Sequence, residues 1–477
     1  MKMVKSLLLG AAAGIVAVAG AQAADLPVKA KPVQYVKICS LYGAGFWYIP
    51  GTDTCIKLGG FMRYEIATGA GGSFGPFLTG ANARFDRGSR ETTQRTRAVM
   101  SFDIRSQTAY GTLRAYLRFG AQWTSGDEYT SAPNAAFFDR GFIQLAGFTF
   151  GRTASFFDIY NPAPTESYQT NFIGSATGGS GITVAGYTAQ FGNGLSATIS
   201  AEDRGGKAIY NVDGAAPAIG TTLTNSQNGG SFSPQWPDIV ANLRVDQAWG
   251  SAGISGAIHN VSSNYYGASL TTGHPDDKVG FAIGGGAVFN LPMLGKGDKI
   301  GFEVDYARGA GMYTNYNLTT SGGVGVFDGQ SVALGWHPDA VFSGTTAATG
   351  TSLELTKSWA VVAGYSHHWL PNLQTSIYGG YLKVSPSDRL CDAVIGVVVS
   401  GGTACDPDWS LWQVGSRTIW NPVENLDVGL EVMYSHVKTS FDGGTTLVAA
   451  GARPAGAVVD DNNVWSGIFR VQRNFWP

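Results

Sequence analysis

Arginines recur at every second position in one part of this chain. Between residues 93 and 105 one face of an extended segment would carry Arg95, Arg97, Val99, Ser101, Asp103 and Arg105. The opposite face would carry Thr96, Ala98, Met100, Phe102 and Ile104. In the next segment Tyr110, Thr112, Arg114, Tyr116 and Arg118 alternate with Leu113, Ala115, Leu117, Phe119, Ala121 and Trp123. Residues 56–67 behave likewise, with Lys57, Arg63 and Glu65 opposite Ile56, Leu58, Met62 and Tyr64. A spacing of two is that of a β-strand. The chemistry such rows can do is electrostatic: fixed positive charges attract anions and repel cations. The bland alternative is a charged lining that merely pairs with nearby acids.

Acidic counterparts are sought in the segment 158–180. It contains Asp158 and Glu166, and Asn161-Pro162-Ala163-Pro164 stiffens its start. Folded inward it narrows a basic-walled passage; otherwise it is a surface loop. Other constellations carry less. His367-His368 adjoins the turn Trp369-Leu370-Pro371-Asn372 and reads as interfacial rather than metal-binding, because neighbouring strand residues point to opposite faces. Asp276-Asp277 and Asp460-Asp461 read as solvated loop acids before weak Ca²⁺ ligands. Asp139, Asp158, Glu303, Asp305, Asp427 and Glu431 show no acid/base pairing. There is no Gly-x-Ser-x-Gly elbow, phosphate loop or His-Glu-x-x-His motif. We therefore expect no catalytic residues, no metal and no cofactor.

The elements that hold these rows are set by the start of the chain and its composition. Met1–Ala23 has basic residues Lys2 and Lys5, an apolar stretch Leu7–Ala19 and a small-residue cleavage site Ala21-Gln22-Ala23. It reads as a signal peptide, with Ala24 as the mature start. The balance of 32 Lys+Arg against 34 Asp+Glu gives no nucleic-acid signal. Only 14% of residues are charged, against about 25% in soluble domains. With 67 glycines, 12 Trp, 20 Tyr and 25 Phe, the chain is oily and turn-rich. It has no other apolar run long enough for a spanning helix.

Strands with lipid on one side and water on the other fit all of this. The last one is clearest: Trp465, Gly467, Phe469, Val471, Arg473 and Phe475 oppose Val464, Ser466, Ile468, Arg470, Gln472 and Asn474. An arginine facing lipid at mid-depth costs about 2–4 kcal/mol. Five of them would be prohibitive, so the arginine rows are assigned to the lumen. Short turns near 107–111, 147–148, 191–194, 250–251, 291–298, 369–372 and 421–425 alternate with long polar connections near 68–92, 124–137, 158–180, 204–236, 261–277, 309–351, 385–408 and 438–463. Seven turns and eight connections require sixteen strands. The fold class is all-β: a transmembrane antiparallel β-barrel. The apolar run Ala393–Val399 lies inside one connection and reads as a packed loop or small hairpin.

Four cysteines behind a signal peptide imply an oxidising compartment. Local pairing, Cys39–Cys55 and Cys391–Cys405, is the simplest of the three connectivities. The chain divides into the leader 1–23, a segment 24–54 on the periplasmic side and the barrel 55–477.

Three stretches resemble the general porins of alphaproteobacteria. The first runs Gln34-Tyr35-Val36-Lys37-Ile38-Cys39, Tyr42-Gly43-Ala44-Gly45-Phe46-Trp47-Tyr48-Ile49-Pro50-Gly51-Thr52-Asp53-Thr54-Cys55 and Gly60-Phe61-Met62-Arg63-Tyr64-Glu65. The second is Phe142-Ile143-Gln144-Leu145-Ala146-Gly147-Phe148-Thr149-Phe150-Gly151-Arg152. The third is the closing strand, 465–475. The resemblance implies a homotrimer for passive diffusion of small hydrophilic solutes and ions across the outer membrane. It also implies outer-membrane lipid and lipopolysaccharide as surroundings, 158–180 as an inward-folded third loop, and the Cys39–Cys55 pairing. Two features depart from the pattern: Trp476-Pro477 follow Phe475, and Cys391 and Cys405 sit in a variable loop. A substrate-specific channel of the same fold, an outer-membrane barrel enzyme and a secreted β-rich binding protein are the rival readings.

Overall fold

In the computed structural model the described residues are 37–70, 74–75, 92–125, 134–159, 167–169, 172–178, 181–213, 234–267, 269–316, 318, 323–328, 330–391, 399–400, 406–440, 445–447 and 455–475. Sixteen long strands follow in chain order: β1 Cys55–Thr68, β2 Thr92–Thr108, β3 Gly111–Thr124, β4 Asn134–Leu145, β5 Phe148–Thr153, β6 Ile182–Gly192, β7 Leu195–Asp203 and β8 Asp238–Gln247. Then come β9 Gly250–Val261, β10 Lys278–Asn290, β11 Lys299–Arg308, β12 Lys357–Leu370, β13 Leu373–Ser385, β14 Trp409–Trp420, β15 Leu426–Lys438 and β16 Asn462–Asn474. Each pairs antiparallel with its neighbours in sequence, and β1 pairs with both β2 and β16. The sheet is thus a closed sixteen-stranded barrel with no free edge. A two-residue strand, Trp47–Tyr48, adds to β1.

Alternation decides which face is which. On β11 Ile300, Phe302 and Val304 are 43–45% exposed, whereas Glu303 and Asp305 are 1% exposed. Large apolar side chains lie bare on the outside and polar ones are enclosed, the inverse of a water-soluble barrel. Tight turns close the hairpins. Asn193 and Gly194 both take positive φ, 49° and 77°, as the two-residue turn between β6 and β7 requires.

Before β1 the chain is stapled. Cys39 and Cys55 form a disulfide and are buried with Phe46. Cys391 is also disulfide-bonded; its expected partner Cys405 lies outside the described residues.

The connection between β11 and β12 departs from the expected polar loop. It holds a hairpin of Gly323–Asp328 and Ser331–Trp336, and a strand Ala340–Phe342 that runs parallel to Ile209–Asn211. Ser331–Trp336 also runs parallel to Val458–Val459. Buried Tyr210, Val332, Leu334, Trp336, Val341, Leu390, Leu447 and Val459 form one core there. The connections after β7, β11, β13 and β15 therefore fold together as a cap. The reason is visible in the residues: Val324, Val326, Val332, Leu334 and Trp336 alternate like strand residues, although many glycines surround them. Of the run 393–399, Val399–Ser400 is a short strand against Thr446–Leu447; residues 393–398 lie outside the described residues.

Candidate functional site: the inner face of the barrel

Register brings the charged rows together. Across β1 and β2 Glu65 faces Arg95, Arg63 faces Arg97 and Lys57 faces Asp103. Across β2 and β3 Arg105 faces Arg114 and Ser101 faces Arg118. All these residues share the parity of the enclosed face, opposite the exposed Met62, Tyr64, Met100 and Phe119.

The groups divide by depth. Arg95 and Arg105 are ten residues apart on one strand, so they stand about 33 Å apart along it. Nearer the long connections, Glu65 is fully buried and is the shared acceptor. Arg95 donates to it through Nε at 2.8 Å and Nη2 at 2.6 Å. Arg470 on β16 donates through Nε at 2.6 Å, and Arg63 Nη1 lies at 3.7 Å. Arg95 is on the inner face but only 4% exposed, because Phe74 stacks on its guanidinium at 3.8 Å. Arg97 bonds the neutral Gln122 at 2.9 Å, with the Phe137 ring 4.9 Å away. Arg118 stands 3.4 Å from Asp139.

At the short-turn end Asp103 accepts from Arg105 at 2.9 and 2.7 Å and from Arg114 at 3.0 and 2.9 Å. Lys57 Nζ donates to Ala44 O at 3.3 Å, which ties the stapled segment to this end. Around both Glu65 and Asp103 cations outnumber carboxylates.

The chain between β5 and β6 reaches inner-face groups on many strands. Phe156 N donates to Glu202 on β7 at 2.8 Å, and Arg244 on β8 donates to Ile159 O at 2.6 Å. Ser175 Oγ donates to Glu303 on β11 at 2.7 Å, and Ile173 N to Gln413 on β14 at 3.2 Å. Ser167 Oγ and Tyr168 N both donate to Glu431 on β15 at 2.6 Å. The Tyr168 ring covers Arg470 at 3.6 Å and stands 4.8 Å from Arg417. Gly429 allows this approach, since a Cβ there would meet the Tyr168 hydroxyl at 2.3 Å.

Asp158 is buried against Arg204, with Nη2 at 3.2 Å, and accepts from Thr177 N and Oγ1 at 2.6 Å. Glu166 lies outside the described residues. Arg204, Arg417 and Tyr168 were not singled out in sequence. Parity marks Arg417 as inward, but nothing in the sequence marks the loop contacts.

His367 and His368 both approach Asp298, through Nδ1 at 2.7 Å and 3.7 Å. Burial raises the Asp298 pKa, but hydrogen bonds from His367, the His368 backbone and Tyr365 outweigh it and hold it at about 2. Among the described residues no three His, Cys, Asp or Glu side chains gather as a metal site. Asp276, Asp277, Asp460 and Asp461 are exposed.

The chain resembles porins in sequence as well. It is 30% identical over 317 residues to porin Omp2a of Brucella ovis, covering 60% of this chain and 86% of that protein. Over 257 residues it is 33% identical to porin Omp2b of Brucella suis, covering 52% and 64%. Among solved structures the outer-membrane channel DcaP of Acinetobacter baumannii superposes with a TM-score of 0.58 at 17% identity, over 90% of this chain and 99% of that one. A model of the porin subfamily matches residues 25–468. A closed barrel that is apolar outside and charged inside is what such a match requires, and the chain belongs to the porin subfamily of outer-membrane channels.

Proposed function

We propose that this porin is a general diffusion channel whose ion preference is set by the basic rows of β1–β3. One observation carries the reading: Arg63, Arg97, Arg105, Arg114 and Arg118 project from the enclosed face of a closed barrel, beside fewer carboxylates. Fixed positive charge on a water path favours anions over about a Debye length, roughly 8–10 Å. The third loop, 158–180, is the constriction, a reading supported by the bonds of Ser175, Ile173 and Ser167 to Glu303, Gln413 and Glu431 on the inner face. The surroundings are outer-membrane lipid and lipopolysaccharide, the passengers are small hydrophilic solutes and ions, and the assembly is a homotrimer. Family membership speaks for a channel rather than an enzyme.

Planar-bilayer recording tests the charge rows. Arg97→Gln with Arg114→Gln should shift the reversal potential towards cations, and the shift should shrink at high salt. Unchanged selectivity at low ionic strength in a folded protein would overturn the assignment.

A substrate-specific channel is favoured by one feature. Val324, Val326 and Leu318 of the cap pack with Phe172 and Ile173 against inner-face residues of β12–β15, which fills one side of the bore. Saturable flux, with a solute that blocks the current, would select that reading.

A further inference from the structure

At the short-turn end the wall of the barrel is completed by the stapled segment. β16 pairs with β1 from Phe61 to Thr68. Nearer the short turns Trp47 and Tyr48 take the same edge, opposite Ile56 and Cys55. Two backbone bonds, Cys39 N to Phe46 O at 2.9 Å and Tyr48 N to Lys37 O at 2.8 Å, fold residues 37–48 into a tongue beside that edge. The Cys39–Cys55 disulfide fixes the tongue to the first residue of β1. Short turns mark the periplasmic side of such barrels, so the tongue stands at the periplasmic mouth.

Its tip turns two rings onto the inner face. Gly43 and Gly45 take φ of 95° and 83°, a region other residues resist, and Tyr42 and Phe46 meet edge to face at 5.8 Å. The guanidinium of Arg105, inward on β2, lies 4.9 Å from the Phe46 ring and 5.7 Å from the Tyr42 ring. Lys57 Nζ, inward on β1, stands 5.9 Å from Phe46. Rings attract a cation within about 6 Å of their centres, which holds the tip against the wall. The Arg105 side chain still keeps 26% of its surface open.

A cation behind a ring acts on passing ions from further off. Coulomb energy falls with distance, and salt screens the remainder over roughly 8–10 Å. Lys57, Arg105 and Arg114 stand here beside the single carboxylate Asp103. Bare, they would make this mouth strongly basic. The two rings hold part of that field back, and they do so at this end alone.

We propose that the stapled tongue is a second selectivity filter, in series with the constriction, in which Tyr42 and Phe46 set how strongly Arg105 and Lys57 act on ions at the periplasmic mouth. The proposal rests on the basic rows as the source of ion preference and adds a direction to it: the rings weaken anion preference at one mouth only.

Planar-bilayer recording on barrels inserted in one orientation tests it. In a salt gradient the charges near the dilute side count most, because screening is weakest there. With dilute salt on the short-turn side, Tyr42→Ala should move the reversal potential towards anions; with the gradient reversed the shift should be smaller. Tyr42→Phe, which keeps the ring, should restore the wild-type value. Arg105→Gln alone should move the potential towards cations in the first gradient. On that background Tyr42→Ala should add nothing, because the ring acts through the guanidinium. Shifts of equal size in both gradients, or an undiminished shift without Arg105, would overturn the filter. No shift with Tyr42→Ala, while Arg97→Gln with Arg114→Gln still shifts the potential, would overturn the tongue's role alone. No shift in either would overturn the basic rows and the tongue together.

Discussion

At the scale of single residues the inner face is organised by Glu65. One buried carboxylate receives Arg95 and Arg470 and stands 3.7 Å from Arg63. Removing one partner of a buried ion pair costs about 3–5 kcal/mol, because the charges left behind are uncompensated. Glu65→Gln should lower stability by that order, read as an earlier urea midpoint; an unchanged midpoint would show that water already solvates the cluster. Tyr168 acts differently. Its ring shields Arg470 and stands beside Arg417, so Tyr168→Ala should bare guanidinium charge, raising conductance and anion preference together. A rise in conductance with no change in ion preference would mean only that the bore had widened. The inward parity of the arginines was legible in sequence because lipid punishes the opposite choice. Their exposure was not. Arg95 is covered by Phe74 and Arg470 by Tyr168, through loops with no periodic pattern to read.

At the scale of elements the count of sixteen strands was readable from turns such as Asn193-Gly194, where positive φ constrains residue type. The cap was not, because its strands are short and its partners lie in four separate connections. Lys207 belongs to it. Its backbone N–H donates to Asp339, which also receives Gly311 N at 2.6 Å, and its Nζ donates to Leu318 O at 2.6 Å. Burial lowers the Lys207 pKa to about 7, against the opposing pull of Asp339. Between about pH 7 and the ordinary lysine value of ~10.4 the unfolded segment holds a proton that the folded cap does not. Cap stability should therefore rise with pH through that window. Amide exchange of 207–211 should slow from pH 7 to 9.5, after correction for intrinsic rates, and Lys207→Met should lose the dependence. Parallel pH profiles for the two proteins would contradict this.

At the scale of the whole molecule the outward apolar surface must meet lipid or a second copy. Leu113, Ala115, Leu117 and Phe119 of β3 make a smooth strip, and Phe119 stacks on Phe102 of β2 at 6.0 Å. We expect this strip to face the trimer interface. In mild detergent Leu117→Arg should convert trimers to monomers on native gels while each barrel still conducts. A variant that stays trimeric would place the interface on other strands.

The shared core of the cap has a consequence for how this protein can change. Tyr210, Trp336, Leu390, Leu447 and Val459 come from four connections yet occupy one interior. An insertion or swap in any one of them disturbs the footing of the other three. Epitope grafts and natural drift on the outer side are thereby channelled into coordinated sets of replacements, and a tag inserted between 332 and 341 would unsettle surface determinants more than a hundred residues away.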